Sequence, residues 1–365
     1  MKIKEIIEFL NSVAHPSYQE SYDNSGLIVG NSQWEVTGIL VCLDSIESII
    51  DEAITKNCNL VIAHHPIVFN GLKTFTGRNY IERTVIKAIK NDIAIFAVHT
   101  NLDNVYINGV NTKISQKLGL INTQILAPAK GVLNKLYVFV PDTALEKVSE
   151  ALFDAGAGEI GNYSECSFVA KGEGSFKANE NANPVVGQKG LRHYEAETKL
   201  EVIFETHIKN ELISALLKAH PYEEVAYDIV VLENQFNRIG AGIVGELKNP
   251  IDTHSFLKKI KEEMNTDCVR YTSLCYDQIQ RVAVCGGAGS FLLGDAIKAK
   301  ADIFITSDFK YHQFFDAENR IIIADIGHFE SEQFTIELFY DLLTQKFCNF
   351  AIHCTDIKTN PINYL

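Results

Sequence analysis

The stretch Leu60-Val61-Ile62-Ala63-His64-His65-Pro66 constrains this chain more tightly than any other. Three apolar β-formers and an alanine run straight into two adjacent histidines, and a proline stops the run. Following the amphipathic segment 45–56, it predicts a buried parallel strand after a helix. Side chains alternate between the faces of a strand, so two neighbouring histidines cannot both enter one core. Pro66 holds His65 extended. Open α/β sheets gather ligands beyond the carboxyl ends of their strands. There the pair can straddle a site, each imidazole reaching a different ion. One buried and one solvated histidine fit the same pattern.

The strand belongs to an alternating series. After a helix in the first ten residues come a short glycine-bounded strand near 26–30, a strand over 38–43 and a helix over 45–56. The histidine strand follows, then a helix over 80–91 and a strand over 93–98 that exits into His99-Thr100-Asn101-Leu102-Asp103. Strands alternating with helices predict an α/β sheet. A similar unit lies downstream. A shift of 243 positions aligns Cys42 with Cys285, Ala53 with Ala296 and Ile62 with Ile305 without a gap, and sets His64-His65 opposite Ser307-Asp308. The strand 321–328 answers 93–103. Two pseudo-repeated α/β halves, 1–125 and 235–365, are therefore expected to form one domain with their strand ends facing one cleft.

The intervening segment 126–234 reads differently. Strand 136–140, helix 143–155, strand 167–170, strand 199–206, helix 209–219 and strand 225–232 give β-α-β-β-α-β, the ferredoxin-like α+β order. The loop 172–190, rich in Gly, Asn and Lys, is expected to be long and mobile. His220 and Glu224 stand four apart, but Pro221 breaks a continuous helix, so they read as packing or inter-subunit contacts.

Composition narrows the function. A net charge of −13 argues against nucleic acid as the main partner, since phosphate contacts need a basic face. Eight cysteines without a Cys-x-x-Cys pair fall mostly in apolar segments, which suits buried thiols in a reducing compartment. The first ten residues alternate charge with apolar side chains, unlike a signal peptide. No run approaches the length of a membrane span, so no membrane partner is expected and the expected location is cytoplasmic.

The polar residues at the strand exits suggest metal chemistry. The pattern after Gly327 predicts a helix starting near His328, so His328 and Glu332 share one face. An imidazole and a carboxylate so placed suit a first-row divalent metal, and the carboxylate can bridge two ions. Two acids favoured by a helix N-terminus fit equally well there. Asp103 offers another ligand, or a turn aspartate bonding its own backbone. Together His64, His65, Asp103, His328 and Glu332 suit two ions roughly 3.5–4 Å apart with positions left open. Zn, Fe, Mn or Co would serve.

Less specific candidates accompany them. His99 is a candidate proton carrier, its ordinary pKa lying near neutrality. His312, with Asp308, flanks the strand exit of the second half and is a candidate catalytic contact to substrate. Gly286-Gly287-Ala288-Gly289-Ser290 reads as a tight turn or as a phosphate seat. The absence of Gly-x4-Gly-Lys-Ser/Thr excludes a Walker-type nucleotide site.

His64-His65-Pro66, His99-Thr100-Asn101-Leu102-Asp103, Gly327-His328-x-x-x-Glu332 and Ser25-Gly26-Leu27-x-Val29-Gly30 resemble the motifs of the Nif-three-like family, also labelled GTP cyclohydrolase 1 type 2 homologues. The resemblance implies a dinuclear metal centre, with His65 and Asp103 on one ion, His64 and His328 on the other, and Glu332 bridging. It implies a toroidal homohexamer with the metal sites facing an internal cavity. The insert resembles the PII- and CutA-like domain of longer bacterial members. The family label implies hydrolytic opening of the guanine ring of GTP, hence a nucleotide or related small-molecule substrate. The rival expectation is a non-catalytic metal-binding regulatory protein whose insert senses a ligand.

Overall fold

A computed structural model describes residues 1–365. The chain divides into two compact units, Met1–Pro128 with Asn237–Leu365, and Ala129–Phe236. The first part of the chain carries strands β1 Gly26–Val29, β2 Ile39–Asp44, β3 Leu60–His65, β4 Ala94–Ala97 and β5 Leu120–Ala129. The middle carries β6 Leu133–Pro141, β7 Ser167–Lys177, β8 Arg192–Glu205 and β9 Tyr227–Val231. The last part carries β10 Phe236–Asp252, β11 Arg270–Tyr271, β12 Gln278–Ala288, β13 Ile303–Ser307, β14 Ile322–Asp325 and β15 Ile352–Cys354.

In the larger unit two sheets run in the orders β1-β4-β3-β2-β15 and β11-β14-β13-β12-β10-β5. Their inner parts are built alike. β2, β3 and β4 are parallel, with β1 antiparallel beyond β4. Likewise β12, β13 and β14 are parallel, with β11 antiparallel beyond β14. Parallel strands buried on both faces read as unbroken apolar runs rather than alternating ones. Accordingly Leu40 and Val41 of β2 and Val61 and Ile62 of β3 are all fully buried. The helices Glu47–Thr55 and Tyr80–Lys90 close one face of the first sheet with Ile49, Ile50, Ala53, Val85 and Ala88. In the second sheet Ala283, Phe304 and Ile323 pack on Leu293 and Ala296. The carboxyl ends of the parallel strands carry Asp44, His64-His65, Gly287 and Asp325, so polar residues collect along one edge of each sheet.

Four strands were not expected, β5, β10, β11 and β15. β5 pairs at the sheet edge, and the polar Asn122, Thr123 and Gln124 within it break any apolar pattern. β10 contains Gly240, Gly242, Gly245 and Pro250, which read as turn residues in isolation. Glycine inside a strand often marks a close backbone approach. A Cβ at Gly240 would stand 2.3 Å from the Ala127 carbonyl oxygen, so β10 needs glycine there to lie against β5. β11 and β15 are two and three residues long, too short to show a period.

The unit Ala129–Phe236 is a four-stranded antiparallel sheet in the order β7-β8-β6-β9. The helices Leu145–Asp154 and Lys209–Ala219 contribute Val148, Leu152, Leu212 and Leu216 to its core. Alternate residues of β6 and β8, including Leu136, Val138, Leu200 and Val202, point inward, as the period of two requires. The segment expected as a mobile loop is partly strand. β7 continues to Lys177, which pairs with Arg192, and only 178–191 connects. The glycines and charges of 171–177 carry no apolar alternation because this stretch of β7 is largely exposed. No helix is long and apolar enough to cross a membrane.

Candidate metal centre

His64 is fully buried at the end of β3, whereas His65 keeps 21% of its side chain exposed. The backbone carbonyl of Val98 lies 2.9 Å from His64 Nδ1. A carbonyl only accepts, so Nδ1 carries the proton and Nε2 keeps a free lone pair. The same device recurs on every imidazole around it. His65 Nδ1 donates to Asp44 Oδ1 at 2.7 Å, the two residues facing each other in the β2–β3 register. His328 Nδ1 meets Asp308 Oδ2 at 2.5 Å, and His99 Nδ1 meets Asp23 Oδ1 at 2.8 Å. Asp44 is fixed in turn by the Thr359 hydroxyl, and Asp23 by the amide and hydroxyl of Thr100. Outer carboxylates and carbonyls that set tautomer and ring angle are how metal-binding histidines are held.

Glu332 stands between these rings, 3% exposed, on the short helix His328–Glu332. Its Oε1 lies 3.7 Å from His64 Nε2, while its Oε2 lies 2.9 Å from His65 Nε2 and 3.1 Å from His328 Nε2. Asp103 Oδ1 lies 3.5 Å from His64 Nε2. The donor atoms therefore fall into two groups sharing Glu332, namely His64 with Asp103 and His65 with His328. A further grouping takes in His64, His65 and His99. The resemblance implies the other division, His65 with Asp103 and His64 with His328, around the same shared Glu332. Anchoring His64 on Val98 turns its Nε2 toward Asp103, five residues along the same chain segment. The alternation of β3 sends His65 the other way, to His328. Asp103 itself ends the helical turn Thr100–Asp103 rather than standing on the strand exit.

The cluster fits a cation. His64 Nε2 and Asp103 Oδ1 are both buried and have no hydrogen-bond partner, a rare state for native polar atoms. Two acceptors facing each other need something positive between them. The charges agree. Burial disfavours protonation of His65, but the carboxylates of Glu332 and Asp44 outweigh it and hold its pKa up at about 10. Burial is likewise overridden at His328, which Glu332 and Asp308 raise to about 11. Burial and the charge of Glu332 push Asp103 upward. The site thus concentrates acceptors that retain protons where a divalent ion could stand instead. Burial pushes the nearby Cys285 thiol well up, and its sulfur lies outside the donor groups.

Gly287 explains the glycine turn. Its φ is +63°, and a Cβ there would lie 2.3 Å from Glu332 Oε1. Three amides of the turn are engaged by the protein itself, as in a tight structural turn. Gly286 donates to Asn111, Gly287 to Ser331 and Gly289 to Thr306. A cavity of about 210 Å³ opens beside the cluster, lined by Tyr22, His99, Asp103, Phe291 and His328 among others. His312 is not brought there. It is exposed on the turn Tyr311–Ala317, beside Tyr311 and stacked on Phe315. Asp308, expected to touch substrate, instead orients His328. His220, in the smaller unit, is a packing residue whose Nε2 donates to the Phe139 carbonyl while Nδ1 accepts from Tyr222 N. Asp44 and Asp23 escaped the sequence reading. Asp44 carried the same signal as the histidines, a polar residue ending an apolar strand.

Fold and site define an α/β protein with a partly buried three-histidine, two-carboxylate cluster able to hold metal. A profile of the Duf34/NIF3 (NGG1p interacting factor 3) family matches residues 1–361, and the chain belongs to that family. The "GTP cyclohydrolase 1 type 2 homolog" of Bacillus subtilis is 37% identical over 369 residues, covering 99% of this chain and 98% of its own. That of Halalkalibacterium halodurans is 37% identical over 348 residues, covering 94% and 93%. The crystal structure of a Bacillus cereus protein related to NIF3 matches with a TM-score of 0.83 at 35% identity, over 100% of this chain and 99% of that one.

Proposed function

We propose that this protein is a dinuclear metal-dependent hydrolase of the GTP cyclohydrolase 1 type 2 kind, acting on a nucleotide or related small molecule. The observation that carries the reading is the pair of buried, unpartnered acceptors His64 Nε2 and Asp103 Oδ1 beside a carboxylate shared with His65 and His328. His64, Asp103 and Glu332 would hold one divalent ion, and His65, His328 and Glu332 the second, with Zn, Fe or Mn as the candidates. Bound there, divalent ions supply Lewis acidity and lower the pKa of water toward neutrality. Three protein donors per position leave coordination sites open, as catalytic centres require and structural ones do not.

The rest of the chemistry falls to the chain. Asp44 and Asp308 keep the imidazoles of His65 and His328 aimed inward. Asp23 fixes the proton of His99 on Nδ1. The other nitrogen of His99 is then free to take a proton from, or return one to, a molecule in the cavity. Tyr22 and Phe291 on the cavity wall offer rings to a planar base.

The smaller unit reads as a ferredoxin-like module of the PII and CutA kind, supported by its β-α-β-β-α-β sequence and its strand order. The assembly reads as a cytoplasmic homohexamer, to be checked by light scattering. The functional test is a hydrolysis screen over nucleotides with metal-reconstituted protein and with Asp103→Asn. Metal-dependent turnover of GTP, lost in the variant, is expected. Full metal loading with no turnover of any nucleotide would overturn the hydrolase and leave the non-catalytic regulatory reading in its place.

A further inference from the structure

A second cavity, of about 280 Å³, lies wholly within the unit Ala129–Phe236 and has no part in the metal chemistry. Phe139 of β6, Phe176 of β7, Pro184 and Val185 of the connection 178–191, and Ala226 form its apolar wall. The volume is close to the lower bound of about 300 Å³ usual for small-molecule sites.

Its polar side chains are hydroxyls and carboxylates, with no base among them. The Tyr222 hydroxyl is buried there beside the Glu197 carboxylate. Glu197 reaches the cavity from β8, and Glu223 and Glu224 also line it, while no Lys, Arg or His does. Glu223 Oε1 is already engaged, accepting from Asn183 N at 2.6 Å and so tying the connection down. Glu197 has a seat made for it. A Cβ at Gly174 would stand 2.1 Å from Glu197 Oε2, so glycine at that position lets the carboxylate lie across β7. Glycine weakens a strand interior unless something must pass close by.

We infer that this cavity binds a small organic amine, its apolar body against Phe139, Phe176 and Val185 and its ammonium group on Glu197. An anion such as a nucleotide phosphate would meet three carboxylates and no base. A purely apolar guest would leave the Glu197 carboxylate without a counter-charge. An ammonium ion satisfies Glu197, a hydrogen bond to its neighbour satisfies Tyr222, and the two phenylalanine rings favour a cation beside them.

Calorimetry on the full chain with phenethylamine as the probe tests this, with phenethyl alcohol and hydrocinnamate as neutral and anionic shapes of similar size. One saturable amine site per chain is expected, at least about tenfold tighter than for either control, the usual worth of a charge-assisted hydrogen bond. Glu197→Gln should erase that preference. Val185→Trp, at an exposed position of the connection, should fill the cavity and block the amine with metal content unchanged. No saturable amine binding, equal affinity for all three probes, or amine binding unchanged in both variants would overturn the inference.

Discussion

Gly287 decides whether Glu332 can stand where two groups of ligands share it. Its left-handed backbone and the 2.3 Å approach of Glu332 Oε1 leave no room for a methyl group. Gly287→Ala is therefore expected to lose most of its bound metal while keeping a native circular dichroism spectrum. Unchanged metal content would contradict the shared position of Glu332. A second residue adds to the acid sensitivity of the fold. Glu82 accepts from the amides of Thr76 and Arg78 and from the Thr76 hydroxyl, and these bonds hold its pKa at about 2. A depressed carboxylate contributes stability above its unfolded value, near 4.3, and loses it as pH falls toward the folded value. The urea midpoint of the parent should fall between pH 5 and pH 2 more steeply than that of Glu82→Gln, and parallel curves would refute the role. At this scale the clustered histidines and acids were readable in the sequence, because such residues at the ends of apolar runs have few structural uses. The orienting carboxylates were not, since Asp308 meets His328, and Asp23 meets His99, only through tertiary apposition.

The β2–β3 pair shows what an element adds to its residues. Parallel register puts Asp44 beside His65, and the carboxylate fixes the ring. Removing such an outer partner typically costs about 10–100-fold in metal affinity. Asp44→Ala should show a loss of that size in competition with a chromophoric chelator, and undiminished affinity would mean that β2 only buries apolar surface. On the other sheet Phe304 of β13 is fully buried and meets Phe309 edge-on. Phe304→Ala should cost about 3–5 kcal/mol in urea unfolding. A loss under about 1 kcal/mol would show that the second core is looser than its burial implies. The parallel strands were readable because burial on both faces leaves unbroken runs of Val, Ile and Ala. β10 and the end of β7 were not. In both, glycines serve a close backbone or carboxylate approach, and sequence alone renders them as turns.

For the whole molecule, the order of elements along the chain was more readable than the arrangement of ligands. The inner strand order of both sheets follows from parallel α/β connections, and the repeat at a shift of 243 positions set the matching strand exits side by side. Which histidine shares which carboxylate depends on the Val98 carbonyl and on strand alternation, neither of which has a local signature. That pairing is also the point at which the dinuclear proposal is most exposed. The decisive measurement is elemental analysis of metal per chain, on protein reconstituted and desalted, for the parent and for Glu332→Ala. About two equivalents in the parent, falling to one or none in the variant, is the expected result. One equivalent or none in the parent, or two retained without Glu332, would contradict a shared-carboxylate dinuclear centre.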